Sequence, residues 1–121
     1  MTILQVDDSV LDRSMFRDIL ANQRPVVGLV QVSTIEQARG QIDDKYFDLA
    51  IVDACVPGRR PNIMSLIQEM RQSGRVRRIV GVSGDENNLP ILMAAGCDRA
   101  IDKVILVTGS TIGELIDWAI S

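Results

Sequence analysis

Apolar residues fall along the chain in five short runs. Between the runs they recur every three or four positions. The runs are 3–6, 26–32, 49–52, 78–82 and 99–101. Most are near-continuous β-branched or aliphatic stretches, as strands covered on both faces require. The intervening segments predict helices. Ser9 with Asp12 three positions on predicts a capped helix with Leu11, Met15, Ile19 and Leu20 on its inner face. Ser33 and Glu36 fit a capping box for a second, weaker helix containing Gly40. Asn62 caps a third, in which Ile63, Leu66, Ile67 and Met70 share one face and which Gly74 stops. A fourth helix covers about 86–95, but Pro90 lies inside it. Proline is tolerated only in a first turn, so this helix must start late or be distorted. The last covers about 111–120, with Thr111 and Glu114 as its box and Ile112, Leu115, Ile116 and Ala119 as its stripe. Five βα units imply a parallel sheet with helices on both faces. Such sheets place their sites beyond the carboxyl ends of the strands, where the strand order reverses.

Composition narrows the class. At 121 residues, 46% of them apolar, the chain is the size of one domain with one core. No stretch approaches the ~20 apolar residues of a membrane span. The opening Met1-Thr2-Ile3-Leu4 lacks the basic region of a signal peptide. A net charge of −3 argues against a nucleic-acid groove. The densest basic stretch, Arg71 to Arg78, reads as a solvated loop, with a docking surface as the second reading. Cys55 and Cys97 are too few for a disulfide scaffold and wrongly spaced for zinc, so free thiols in a cytoplasmic protein are expected. There is no histidine. That excludes Ser-His-Asp and Cys-His nucleophilic sites, histidine-ligated metals and a phosphohistidine on this chain.

The strand ends carry the chemistry. Asp7 and Asp8 close the first run, Asp53 the third and Ser83 the fourth, and Lys103 follows the fifth. Taken singly, Asp8 can be a helix-start charge, Ser83 a turn residue and Lys103 a surface lysine, and Cys55 reads as a packing residue rather than a reactive one. Taken together, they converge on one end of an apolar sheet. Three crowded carboxylates repel unless a cation neutralises them. A hard divalent ion with oxygen ligands, such as Mg²⁺, suits few carboxylates and open water positions. Lys103 adds a second, movable positive charge.

With these residues in place the chain resembles a response-regulator receiver domain, the phosphoacceptor module of two-component signalling. The resemblance spans 1–121 as one receiver domain. It is carried by Val6-Asp7-Asp8-Ser9, by Leu49 through Gly58 around Asp53, by Val82-Ser83-Gly84, and by Ala95-Gly96-Cys97-Asp98 leading to Lys103. It implies a CheY-like, flavodoxin-like (βα)5 three-layer sandwich with a parallel sheet of order 2-1-3-4-5. It further implies that Asp53 accepts the phosphoryl group, and that Asp8, Asp53 and the Cys55 backbone carbonyl ligate Mg²⁺, with Asp7 acting through a metal-bound water. Lys103 would pair with Asp53 and then with a phosphoryl oxygen. The Ser83 hydroxyl would swing to the phosphoryl group. The implied donor is the phosphohistidine of a sensor histidine kinase or histidine phosphotransfer protein. The implied target is an effector domain or protein, with no nucleic acid or membrane contacted. The expected state is a monomer or a phosphorylation-dependent dimer, and a signalling phosphoacceptor rather than an enzyme.

The departures lie on the output side. Val104 replaces the usual proline after the lysine, predicting a rearranged, partly buried loop from Val104 to Ser110. Ala100 stands at the position of the aromatic switch residue, and the segment from Ser83 to Gly96 is short. Arg60-Pro61 replaces the usual Asp-Gly. The main alternative is a receiver-like interaction module no longer regulated by phosphorylation. A haloacid-dehalogenase-type phosphatase needs a second Asp where Cys55 stands. A flavodoxin-type nucleotide binder needs a phosphate-binding loop where Asp7-Asp8 would repel the phosphate.

Overall fold

The computed structural model describes residues 1–56, 61–107 and 112–121. Strands β1 (Thr2–Val6), β2 (Gly28–Val32), β3 (Phe47–Asp53), β4 (Val76–Ser83) and β5 (Arg99–Asp102) form one parallel sheet in the order β2-β1-β3-β4-β5. Among the described residues six helices accompany them: α1 (Val10–Gln23), α2 (Ile35–Ile42), α3 (Met64–Ser73), α4 (Leu89–Ala95), α5 (Lys103–Val107) and α6 (Ile112–Ile120). The chain runs outward from β1 to β2, then crosses back to β3 and continues the other way. The strand order therefore reverses between β1 and β3, the two strands that end in Asp7-Asp8 and Asp53. No helix among the described residues is long and apolar enough to cross a membrane.

Strand alternation divides the interior into two cores. Leu4, Val6, Ala50, Val52 and Ile79 meet Ala38, Ile42, Leu66, Ile67, Met70 and Leu92 on the α2–α3–α4 side. Ile3, Leu49, Ile51, Val80 and Val82 meet Phe16, Leu20, Leu106, Ile112, Leu115, Ile116 and Ala119 on the α1–α6 side. The sheet is thus sealed on both faces, which is why its strands read as apolar runs. Gly81 lies where α4 presses closest: a Cβ there would come within 2.8 Å of Leu92 Cδ1 and 3.0 Å of Cys97 Sγ.

Several local expectations are corrected. The inner face of α1 is Phe16 and Leu20, with Met15 and Ile19 half-buried and Leu11 68% exposed. Val10 and Leu11, both in the first turn of α1, face solvent. The second box is shifted by one residue. Thr34 Oγ1 accepts from the Gln37 N–H (3.1 Å), and Gln37 Oε1 accepts from the Ser33 N–H (2.9 Å). Asn62 does not cap α3, which has Ile63 at its N-cap and no side-chain bond there. Val26 is solvent-exposed, because Pro25 begins a turn that the Val27 N–H closes on Arg24 O (3.1 Å), and β2 starts only at Gly28. The basic stretch from Arg71 is not a loop. It ends α3, turns at Gly74 (φ +68°) and enters β4.

Other expectations meet the structure directly. The Pro90 helix does start late, with a 3-10 turn at Glu86–Asn88 leading into α4 and proline in its first turn. The loop expected after Lys103 is a correction instead: it is helical as α5, begun by the Asp102 carboxylate on the Val104 N–H, with Leu106 buried as expected of part of it and Val104 and Ile105 exposed. The rest of that expected loop, the Thr111 cap and the Pro57-Gly58 and Arg60 motif positions lie outside the described residues.

Candidate functional site

β1 delivers Asp7 and Asp8 at its carboxyl end. Asp7 is 1% exposed, whereas Asp8 is exposed. The chain turns immediately into α1. The Ser9 N–H donates to Asp7 Oδ1 (2.9 Å), and Ser9 Oγ accepts from the Asp12 N–H (3.2 Å), so one short segment both orients the buried carboxylate and caps the helix. Arg13 Nη1 donates to the backbone carbonyl of Asp7 (2.7 Å) and leaves the carboxylate to other partners.

β3 delivers Asp53. The Cys55 N–H donates to Asp53 Oδ1 (3.1 Å), fixing the carboxylate against the chain that leaves the strand. That chain is pinned by Asn62: the Val56 N–H donates to Asn62 Oδ1 (2.7 Å), and Asn62 Nδ2 donates to Val56 O (2.6 Å). Asn62 therefore holds the Asp53 loop rather than α3.

β4 delivers Ser83. Its Oγ accepts from the Asp85 N–H (3.1 Å) and from Asn88 Nδ2 (3.0 Å). A hydroxyl oxygen has two lone pairs and one proton. With both lone pairs used, the proton of Ser83 is available to an acceptor in front of it.

β5 leads to Lys103. The Val104 N–H donates to Asp102 Oδ1 (2.9 Å), which starts α5 at the lysine. Lys103 Nζ meets Asp53 Oδ2 at 2.6 Å, Asp12 Oδ2 at 2.7 Å and Asp7 Oδ2 at 2.8 Å. The ammonium donates to Asp53 and pairs by charge with Asp12 and Asp7, whose Oδ2 is buried without a hydrogen-bond partner. Burial works against the Lys103 ammonium, but its bonds to Asp12, Asp53 and Asp7 together outweigh burial and raise its pKa. Burial pushes the Asp7 carboxyl up; Lys103 and the Ser9 N–H pull it back, and Asp53 adds to the rise. Burial raises the Cys55 thiol too, helped by Asp53 and Asp8.

These side chains frame an open pocket of about 410 Å³, walled by Asp8, Asp53, Ser83 and Lys103, with Cys55, Gly84, Asp85 and Asn88 completing it. Carboxylate oxygens of Asp7, Asp8 and Asp53 lie within 4.8 Å of one another. The donors are hard oxygens only, two of the carboxylates are buried, and the lysine is shared with Asp12. An oxygen-seeking divalent cation fits that donor set and that uncompensated charge.

The structure therefore brings Asp7, Asp8, Asp53, Cys55, Ser83 and Lys103 to one place. Ala100 is not among them. It pairs with Gly81 in the sheet and packs half-buried against the α2–α3–α4 core. Two contributors went unseen in the sequence. Asp12 reads there as a helix-start acid, although it lies one helical turn beyond Asp8. Asn88, 8% exposed, had no signal beyond its place near the Pro90 break.

No protein-family model matches this sequence, and no curated protein does. Solved structures do match. The response regulator receiver domain (CheY-like) from Methylobacillus flagellatus superposes with a TM-score of 0.80 at 17% identity, covering 98% of both chains. The response regulator protein TrrA from Thermotoga maritima, solved in complex with Mg²⁺-BeF, gives 0.80 at 19% identity over 98% of this chain and 97% of that one. The receiver domain (CheY-like) from Methanospirillum hungatei gives 0.73 at 21% identity over 98% and 94%. The chain has the CheY-like fold of response-regulator receiver domains, with an acidic cluster at the carboxyl end of its sheet.

Proposed function

We propose, from this fold and cluster, that the chain is a phosphoacceptor receiver domain spanning 1–121, with Asp53 as the residue that takes the phosphoryl group. The observation that carries the reading is Lys103 Nζ at 2.6 Å from Asp53 Oδ2, beside a pocket that also holds Asp8 and Ser83. A carboxylate oxygen of Asp53 forms the new O–P bond. The bond from phosphorus to the imidazole nitrogen of a partner's phosphohistidine breaks, and that nitrogen keeps the electron pair. This chain holds no histidine, so that phosphohistidine would sit on a partner, a sensor histidine kinase or a histidine phosphotransfer protein.

Phosphoryl transfer between two anions depends mainly on positioning and on cations around the equatorial oxygens. Lys103 turns its ammonium from Asp53 to a phosphoryl oxygen. Ser83 donates its free proton, and Gly84 leaves room beside the group. Asp8, Asp53 and the Cys55 carbonyl are the residues that would hold Mg²⁺, with Asp7 acting through water. When bound, Mg²⁺ supplies the second positive charge on the phosphoryl oxygens. Hydrolysis of the acyl phosphate resets the domain. The readout is a switched protein-interaction surface for a downstream effector. The domain works in the cytoplasm without contacting nucleic acid or membrane, as a monomer or a phosphorylation-dependent dimer.

Incubation with acetyl phosphate and Mg²⁺ tests this by intact mass. The wild type should gain one phosphoryl group and the Asp53→Asn variant none. Equal labelling of both would overturn the assignment. No labelling of either would leave a receiver-like interaction module free of phosphorylation. Mg²⁺ should also raise the melting temperature, and less so in Asp8→Ala.

A further inference from the structure

The ammonium of Lys103 is held by one anion more than the reaction needs. Asp53 receives the phosphoryl group in the proposed reading, and Asp7 is the buried carboxylate at the end of β1. Asp12 is neither. It stands on the first turn of α1 with Oδ2 at 2.7 Å from Lys103 Nζ, as close as the contact with Asp53 at 2.6 Å. It does not line the pocket, whereas Lys103 does. Lys103 is therefore a wall, with Asp53 on the pocket side and Asp12 behind. The Asp12 side chain is 26% exposed, and its own backbone N–H is satisfied by Ser9 Oγ, so its carboxylate is not needed to cap α1. Arg13, the next cation on α1, reaches only the Asp7 carbonyl and does not relieve Asp12.

We infer that Asp12 is a positioning residue that draws the Lys103 ammonium toward α1 and so restrains how fully the lysine's charge serves an anion seated on Asp53. A lysine has three protons to give. While Asp12 stays paired with the ammonium at 2.7 Å, an incoming phosphoryl oxygen must share that charge with a resident anion. The Asp12 charge also repels that oxygen directly. Asp12 thus acts as a brake on phosphoryl binding. The inference rests on the proposed phosphoacceptor reading for its consequence, and on the ion pair alone for its cause.

Two readouts on the full chain separate cause from consequence. The first is the Lys103 Nζ resonance in a ¹H–¹⁵N spectrum. It should be protected from exchange in the wild type and broadened or lost in Asp12→Asn. The second is a beryllofluoride titration at saturating Mg²⁺, followed by the Gly84 amide. Asp12→Asn should bind more tightly, with a midpoint about 3–10-fold lower, the effect of removing one charge a few ångströms away in a half-exposed site. A purely structural role would weaken binding or leave it unchanged, so a midpoint equal to or above that of the wild type overturns the inference. If neither protein responds to beryllofluoride, the phosphoacceptor reading fails. The Lys103 resonance then decides alone, and an unchanged signal on Asp12→Asn overturns the anchor.

Discussion

The two sides of the site, the ion pairs beside the pocket and its β4 wall, are held by different forces. On the β1–β3–α5 side, Asp7, Asp12 and Asp53 surround the single ammonium of Lys103, all within 2.8 Å of it. On the β4–α4 side, Ser83, Asp85 and Asn88 are joined by neutral hydrogen bonds of 3.0–3.1 Å to one hydroxyl. The first half is strong, over-filled with negative charge and closed to further anions until a cation enters. The second is held by two neutral hydrogen bonds, each worth only about 1 kcal/mol net. The proposed phosphoacceptor reading asks for both properties. It needs rigidity where the charge is neutralised and softness where the signal leaves.

The difference predicts unequal responses to mutation. Lys103→Ala should have the largest effect. It leaves Asp7, 2% exposed at its side chain, and Asp53 without their cation, costing about 3 kcal/mol in urea unfolding at neutral pH. Added Mg²⁺ should recover part of it. A loss below about 1 kcal/mol would show that the pairing is only a surface effect. The pH dependence has a definite sign. The folded pKa of Lys103 lies above its ordinary 10.5, so its stabilisation is complete below that value and is lost as pH rises through the raised one. The gap between wild type and variant should therefore be flat from about pH 7 to about pH 9.

Gly81→Ala comes next and probes the packing beneath the soft half. The new Cβ would meet both terminal methyls of Leu92, at 2.8 and 2.9 Å, and should cost about 1–3 kcal/mol. It should increase hydrogen exchange in α4 while leaving α1 protected. Equal loosening of α1 would remove the distinction between the halves. Asn88→Ala should have the smallest effect, about 1 kcal/mol, the net worth of one buried neutral hydrogen bond. Its amide shifts should stay within residues 83–89. Shifts reaching Asp53 or Lys103 would mean the halves are already coupled at rest.

The charged half was legible in the sequence because it follows from topology. Asp7, Asp8, Asp53 and Ser83 close apolar runs and Lys103 follows one, and a parallel sheet brings its strand ends together whatever lies between them. Asp12 escaped because helix-start acids are ordinary and its partner is 91 positions away. The soft half was less legible because it is made by local turns. The Ser83–Asn88 bond lies across the 3-10 turn at Glu86–Asn88 that precedes α4, and nothing in the apolar periodicity reveals that geometry. Asn62 shows the same limit: as a residue type it suits a helix cap, but the backbone of Val56 offers both a donor and an acceptor and takes it. Leu11 and Val26 were misplaced for a related reason. Periodicity says which residues are apolar in step, but not where an element begins relative to the surface it packs on.

The central claim is that Asp53 itself receives the phosphoryl group. Fragmentation of the acetyl phosphate-labelled protein, under mildly acidic conditions that preserve acyl phosphates, locates the added mass directly. The account predicts it on Asp53 alone, with none on Asp7, Asp8 or Asp12. A phosphoryl group on Ser83, Cys55 or any other residue, with Asp53 unmodified, would contradict it.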